Sequence, residues 1–471
     1  MRVLLVATNR ERFPYPVAPI GALYVAAAAR NAGHEVDFVD MGVQSNPHRA
    51  LERVLRANEY DAVAFGIRNL DNCWAFAPRM YFDDVRPLAE TVRRHFKGPF
   101  ILGGTGFSVS PMGWMRRLKP DCGVVGEGEQ AFVEVLDRLG SGRSLDGISG
   151  VVLSPQNGNG ACPAVPALAV PSDLMLPAHE LCRYPTYVRR GGFVGVQTKR
   201  GCPLGCSYCV YPRLEGKRYR LRAAEAVVEE VETVAAARKV QHFFFVDSVF
   251  NDPRSHALAI CRELARKRVP VRWMAFCNPV GFDEELARAM AKAGCVGVEF
   301  GLDAATPKML AALHKPFGQE EIRIALKAAH DAKMPFMLSM MFGGPGETWE
   351  DVEEAQNFLN NCATANGVFA SYGIRVYEGT GLAAQAEREG VFGADHDLFE
   401  PVYYLSPAMR ERTVENLDRI TRRRPEWSSP ADWRKPIMVW AQRVMVMCNV
   451  RPPWKYVSGY GEHMRRWLKP A

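Results

Sequence analysis

The sequence predicts an α/β protein of two consecutive units: an open, doubly wound sheet, then a partial (β/α)6 barrel, ending in a small helical cap. Three observations predict it. Short apolar runs alternate with amphipathic stretches along most of the 471 residues, the pattern of strands and helices around parallel sheets. The runs fall into a group of five and a group of six. Between the groups, LSPQNGNGACPAVPALAVPSDLMLPAHELCRYP is dense in Pro, Gly and Ala and keeps no period, which marks a linker. The division is therefore 1–145, a linker over 146–190, 191–395 and 396–471.

In the first unit the strand candidates are VLLVAT, EVDFVDM, DAVAFGI, FILGGTG and CGVVGEGE, with PIGALYVAAAARNAG the clearest helix among them. Open sheets of this kind bind ligands beyond the carboxyl ends of their strands. That edge is rich in glycine: Gly103, Gly104 and Gly106 follow strand four, and Gly126, Glu127 and Gly128 follow strand five. Neither run is a dinucleotide fingerprint, which opens a helix after the first strand as G-x-G-x-x-G. The first turn is instead TNRERFPYPVAPIG, with prolines and no phosphate cradle. After strand three, Arg68, Asn69, Asp71 and Asn72 form a polar loop that should face whatever occupies the ligand edge.

The second unit has strand candidates FVGVQT, HFFFVD, VRWMAF, CVGVEFG, PFMLSMM and VFASYGIR. LRAAEAVVEEVETVAAA, SHALAICRELARK, DEELARAMAKAG and QEEIRIALKAAHDA are helix-like segments between them. Barrels of this kind do their chemistry at the carboxyl ends of the strands. At those ends stand a cysteine-rich loop after strand one, Asp247 after strand two, Asn278 after strand three, Gly343 to Glu347 after strand five, and Arg375 after strand six.

The cysteine-rich loop is GCPLGCSYC, which puts Cys202, Cys206 and Cys209 close together while the other nine cysteines are scattered singly. Disulfide frameworks belong to short secreted chains, and the opening MRVLLVATN reads as a buried strand rather than a secretion signal. Structural zinc wants four ligands, usually two separated pairs, and no second pair sits nearby. Iron–sulfur ligation by three thiolates leaves one iron of a cubane open to bind something else.

Cys202-Pro-Leu-Gly-Cys206-Ser-Tyr208-Cys209 resembles the Cys-x3-Cys-x2-Cys signature of radical S-adenosylmethionine (SAM) enzymes, including the aromatic residue before the last cysteine. The resemblance implies a 4Fe-4S cluster on Cys202, Cys206 and Cys209, with SAM chelated to the open iron. Gly343, Gly344, Gly346 and Glu347 look like the turn that lies against the adenosine, although the stretch also reads as an ordinary strand-to-helix turn. Glu299 is similar to the strand-four acid that contacts SAM, and Asp247 and Tyr208 join the implied cofactor contacts. A solvent-facing acid and a core aromatic are the plain readings of Glu299 and Tyr208.

With this unit downstream, the first one resembles the Rossmann-like cobalamin-binding domain of class B radical SAM methyltransferases. PIGALYVAAAARNAGHEVDFVD, ILGGTGFS and GVVGEGEQAF carry the likeness, which extends it over nearly residues 1–395. The glycine turns and the loop of Arg68, Asn69, Asp71 and Asn72 are the implied corrin contacts, since amides and carboxylates satisfy the corrin's side-chain amides. The Asp-x-His-x-x-Gly motif that supplies a histidine to cobalt elsewhere is absent, and His34 and His48 read as surface residues. Arg68 cannot ligate a metal, because a guanidinium has no lone pair to offer. An arginine near cobalt blocks its lower face, which resembles the arrangement in one methyltransferase of this family. The plain alternative is a solvated loop with an Arg68–Asp71 surface pair.

The resemblance implies a cobalamin-dependent radical SAM methyltransferase that acts on a carbon of a small-molecule or peptide substrate. In the usual route one SAM methylates cob(I)alamin and another yields the radical that abstracts a substrate hydrogen; a polar route is the alternative, and Arg68 keeps it open. Oxidative cyclisation, ring rearrangement and a sensor without turnover are the competing classes. An electron donor such as flavodoxin or ferredoxin is the implied partner. A charged fraction of 24% and no apolar run near twenty residues argue against a membrane span, and the expectation is a cytoplasmic enzyme. No nucleic-acid module is visible. The net charge is +7, and the basic clusters RRRPEW and MRRWLK near the carboxyl end read most simply as a solvated tail. Trp427, Trp433, Trp440, Trp454 and Trp467 are spread too irregularly for one helix face; they read either as a small cap on the barrel mouth or as ordinary core aromatics of a helical appendix.

Overall fold

The computed structural model describes residues 1–154, 175–411 and 426–456, together with Glu415 and Arg419. Trp467, the MRRWLK and RRRPEW arginines and most of the expected linker core lie outside the described residues.

Strands β1 (Arg2–Ala7), β2 (Glu35–Asp40), β3 (Ala62–Gly66), β4 (Phe100–Gly103) and β5 (Cys122–Val124) pair in parallel in the order β2-β1-β3-β4-β5. This is a doubly wound order whose switch point lies between β1 and β3. Leu4, Val6, Phe65 and Leu102 point to one helix layer, while Val3, Leu5, Ala64 and Ile101 point to the other. Both faces are covered, which is why these strands read as continuous apolar runs. An antiparallel strand β6 (Val151–Leu153) extends the edge beyond β5, so the first sheet reaches past residue 145. Its three residues are too short a run to stand out in the sequence.

The barrel starts with β7 (Val194–Val196), followed by the short antiparallel pair β8 (Lys199–Arg200) and β9 (Arg220–Leu221), which brackets the cysteine loop. Strands β10 (His242–Phe245), β11 (Arg272–Cys277), β12 (Cys295–Asp303), β13 (Phe336–Phe342) and β14 (Gly367–Tyr372) follow, all parallel and in consecutive order from β7. Beyond β14, Ile374–Arg375 (β15) pairs antiparallel with Tyr403–Tyr404 (β16). Along β12 the side chains alternate: Val298, Phe300 and Leu302 pack into the layer under the helices, and Glu299 lies on the opposite face. Helices start where capping predicts, with Asp283 Oδ1 accepting from Leu286 N at 2.9 Å before the helix Glu284–Lys292.

The carboxyl-terminal segment differs from expectation in two ways. Trp427–Ser428 (β17) adds a seventh parallel strand beside β14. Trp433 and Trp454 then pack with Phe193, Phe244 and Met274 on the inner side of the barrel. Arg451 donates to the carbonyls of Val188 and Gly192, and the Asn366 amide donates to Lys455 O at 3.0 Å, so this plug sits at the amino ends of β7 and β14. The described part of the tail, residues 426–456, therefore packs inside the barrel and reaches from the amino ends of the strands to the loop after β3, where Arg434 lies over the Trp74 ring at 4.4 Å. Trp440 is 61% exposed and takes no part in it.

Candidate active site

The site is assembled where the carboxyl ends of the two sheets meet. The loop after β3 docks on the barrel rim through three contacts. Arg375 Nε donates to Asp71 Oδ2 at 2.8 Å, Cys73 Sγ lies 2.9 Å from the Tyr377 hydroxyl, and Phe76 stacks on Tyr372 with ring centroids 5.6 Å apart. The Asp71–Arg375 pair is buried on both sides, and Asp71 Oδ1 also accepts from Cys73 N at 2.8 Å. The expected Arg68–Asp71 surface pair is thus not formed. A carboxylate buried at the interface takes the guanidinium that shares its burial, and leaving it unpaired would cost several kcal/mol. Asn72 is likewise taken up by its own loop, accepting from Trp74 N and Arg79 N and donating to Ala77 O.

Arg68 itself is exposed, and no ion pair holds it among the described residues. In the amide orientation that satisfies both groups, Asn69 Oδ1 accepts from Arg68 Nη1 at 3.2 Å. Burial pushes the Tyr211 phenol up to about 12 while the Arg68 cation pulls it back, and Arg68 acts in the same sense on Tyr15. Tyr15 comes from the loop after β1 and also feels Glu299; Tyr211 stands two residues after Cys209. The helix Tyr211–Leu214 that follows the cysteine loop lies against the helix Thr105–Val109 of the first domain. Tyr211 and Phe276, on the barrel side, each keep more than 40% of their surface exposed.

The glycine turns of the first sheet support that loop. At Gly104, φ is 94°, and a Cβ would meet Ile67 O at 2.5 Å; at Gly106 it would meet the Asn69 backbone at 2.6 Å. These glycines allow the turn after β4 to lie against the Arg68 loop, while Gly103 has only ordinary contacts. Gly126, with φ 82°, donates its N–H to Ser108 Oγ, and Gly128 precedes the helix Glu129–Gly140. Between them Glu127 accepts from Arg200 at 2.8 Å and from Arg220, and Glu129 accepts from Arg200 at 2.6 Å. Arg200 and Arg220 belong to the β8–β9 pair, so the base of the cysteine loop is clamped to the first domain by charge-assisted bonds.

Within the loop, Cys202 is buried and Cys206 and Cys209 are half-buried. Burial raises all three thiols, Cys209 to about 12, and neighbouring thiols push Cys202 and Cys209 further. Three soft donors in mutual electrostatic reach suit an iron–sulfur cluster, whose binding would release their protons. No group of three His, Cys, Asp or Glu among the described residues converges on a single-ion site. Tyr208 donates to Asp303, and Lys315 Nζ bonds Asp303 at 2.7 Å and Tyr208 at 3.3 Å, which braces the loop from behind.

The residues expected to meet SAM divide into two kinds. Asp247 is occupied by Thr198 and by a buried ion pair with Lys199 at 3.1 Å. Glu347 Oε2 accepts from Gly343 N at 2.5 Å and Gly344 N at 2.8 Å, so its carboxylate holds its own turn. A Cβ at Gly343 would strike Leu405, and one at Gly344 would press on Met309; only Gly346 faces open space. Asn278, by contrast, is buried with both carboxamide atoms unpartnered, and Ser248 Oγ is also without a partner. Asn251 clamps the Asn278 backbone in both directions and leaves that side chain free. An orphaned buried carboxamide just past the carboxyl end of β11 fits a polar ligand such as SAM. Sequence reasoning noted Asn278 but gave it no role, and it passed over Tyr15, Tyr211 and Phe276, which no motif marks.

Glu299 is buried, and its Oε1 accepts from Trp454 Nε1 at 2.8 Å. Burial raises its carboxyl to about 7, with the Trp454 bond opposing. A raised folded pKa means the folded state binds the extra proton, so this group stabilises the fold below about 4.5 and the contribution fades as pH rises through about 7. Replacing Glu299 with Gln is expected to flatten the fall in melting temperature between pH 5 and 8 relative to the parent. Parallel curves for the two proteins would show that the carboxyl titrates normally.

Of the first domain's histidines, His34 contacts the Met1 amino group at 3.4 Å and Asp137 at 3.3 Å. It is buried at the amino edge of the sheet rather than on the surface, because the start of β1 folds over it. His48 is exposed as expected.

Comparison with known proteins matches residues 7–136 to the B12 binding domain and residues 196–359 to the radical SAM superfamily. The two matches fall on the two sheets whose carboxyl ends meet at this site. The chain thus joins a B12 binding domain to a radical SAM domain. It is 28% identical to a tryptophan 2-C-methyltransferase of Streptomyces laurentii, over 80% of its own length and 73% of the relative's. It is also 28% identical to an uncharacterized methyltransferase of Pyrococcus horikoshii, over 76% and 77% of the two chains. Among solved structures it resembles the radical SAM methyltransferase TsrM from Kitasatospora setae with cobalamin and a 4Fe-4S cluster bound. The TM-score is 0.85 at 24% identity, covering 99% of this chain and 98% of that one. OxsB with aqua-cobalamin aligns at TM-score 0.76 and 14% identity, over 99% and 71%. These likenesses show the fold. Among the described residues no helix is long and apolar enough to cross a membrane.

Proposed function

We propose that this enzyme moves a methyl group from SAM, by way of cobalamin, to a carbon atom of a small-molecule or peptide substrate. The observation that carries the reading is the docking of the cysteine-loop strands and the barrel rim on the carboxyl edge of the first sheet, through Arg200 on Glu127 at 2.8 Å and Arg375 on Asp71 at 2.8 Å. When bound, the cluster and SAM supply one-electron chemistry and the methyl group, and cobalamin carries the methyl. Cys202, Cys206 and Cys209 would hold the cluster, and Asn278 and Ser248 offer the free hydrogen-bonding atoms for SAM. The 68–72 loop and the turns after β4 and β5 would hold cobalamin. There Arg68 would present a cation with no lone pair, a group that could not itself ligate the metal. Tyr15, Tyr211 and Phe276 wall the space in which the acceptor carbon would be held. An electron donor of the flavodoxin or ferredoxin class completes the proposal.

Reconstituted enzyme incubated anaerobically with methyl-labelled SAM and candidate substrates is expected to give a product heavier by one labelled methyl group. The accompanying yield of 5′-deoxyadenosine separates a radical route from a polar one. Labelled SAM consumed without label in any product would overturn methyl transfer and favour the rearranging or cyclising chemistries.

A further inference from the structure

Beside the β1 and β2 ends of the first sheet lies an open cavity of about 640 Å³ lined by Arg10, Arg12, Arg79 and Arg190 with Gln44 and Ser45. Its walls are polar and carry four guanidinium groups and no acidic residue. Of the four, Arg79 is neutralised by a two-pronged bond to Asp84, at 2.8 and 3.1 Å, with Glu11 3.7 Å away. Arg190 donates to a backbone carbonyl, that of Gly42, at 3.1 Å. Arg10 and Arg12 make no ion pair among the described residues, and Arg10 Nε is buried without any partner. The nearest other carboxylate, Asp40, is occupied by the Tyr187 hydroxyl at 2.7 Å and Gly42 N at 2.9 Å. Burial and the charges of Arg190 and Arg10 together hold the Arg12 guanidinium below its usual range, the mark of cations gathered without their counter-charge.

Guanidinium groups repel, and a bound anion would offset the cost of gathering them. Their planar forks match the paired oxygens of phosphate and carboxylate. The cavity also belongs to the machinery of the interface: Arg10 and Arg12 share the post-β1 loop with Tyr15, and Arg79 shares the post-β3 loop with Arg68. We propose that this arginine-lined cavity is an oxyanion site, which takes the phosphate or carboxylate group of a small molecule at the edge of the cobalamin domain. Two sources offer that chemistry, an anionic substrate and the phosphodiester of the cobalamin tail.

The test is calorimetric titration of inorganic phosphate, at constant ionic strength, into the anaerobically purified protein with and without cobalamin. Saturable binding at one site is expected, weakened at least fivefold in the Arg10→Gln/Arg12→Gln double variant and less in Arg12→Lys, which keeps the charge. Arg288→Gln, on an exposed helix far from the cavity, is expected to bind as the parent does. Phosphate binding that survives cobalamin loading assigns the site to a separate anion, and binding abolished by loading assigns it to the phosphodiester. Equal affinity in parent and double variant, with circular dichroism showing both folded, overturns the proposal, as does phosphate uptake that never saturates. Neither result depends on whether a methyl group is transferred.

Discussion

Replacing Cys202, Cys206 and Cys209 together with alanine is expected to abolish iron binding, the broad visible absorption of the cluster and all SAM consumption. The three thiols stand in a loop held at both ends. Cys202 N donates to Gly216 O at 3.0 Å, Gly201 takes a φ of 86° that no side chain tolerates there, and Arg200 and Arg220 anchor the flanking strands to Glu127 and Glu129. The loop is therefore shaped without metal, and the alanine variant is expected to fold and to keep cobalamin. Single substitutions leave two protein ligands on a cluster that needs three, so each alone is expected to lower iron content severely. Full iron content in the triple variant would disprove the assignment. Loss of cobalamin along with iron would instead show that the clamp, and not the ligand set, had failed.

Arg68 carries the second large effect. Arg68→Ala is expected to retain cobalamin and slow turnover at least tenfold, equivalent to ~1.4 kcal/mol of transition-state stabilisation. The competing account, in which Arg68 pairs at the surface with Asp71, has lost its partner, because Asp71 is held by Arg375 at 2.8 Å. Arg68 stays exposed on the loop after β3, at the edge where we propose cobalamin is held. Arg68→Lys keeps the charge but loses the planar fork, and is expected to fall between the parent and alanine. Electron paramagnetic resonance of the cob(II)alamin state supplies a readout apart from rate: no nitrogen splitting in the parent, and an altered axial signal in Arg68→Ala once water or imidazole can enter. Parent-like rates and an unchanged spectrum in Arg68→Ala would remove the residue from the site.

What the sequence determined by itself was whatever depends on local pattern. Apolar runs bounded by breakers placed both sheets, because a strand covered on both faces has nowhere to hide a polar residue. The spacing of Cys202, Cys206 and Cys209 carried the resemblance that implies the cluster, because a ligand motif within eight residues is a property of one loop. Partner choice was decided only by the tertiary structure. Asp71, Glu127 and Glu347 look like cofactor contacts in the sequence, yet each is taken by a protein group: Arg375, the Arg200 and Arg220 pair, and the Gly343 and Gly344 amides. Buried carboxylates must be satisfied by the nearest donors, and these lie 304 and 73 residues away for Asp71 and Glu127, beyond the reach of any local pattern. Trp433 and Trp454 went to the inner side of the barrel for a related reason: which cavity a ring fills depends on the volume other chain segments leave open. The docking of one sheet on the other is likewise decided in three dimensions, by charges paired across the interface: Arg375 with Asp71, and Arg200 with Glu127 and Glu129.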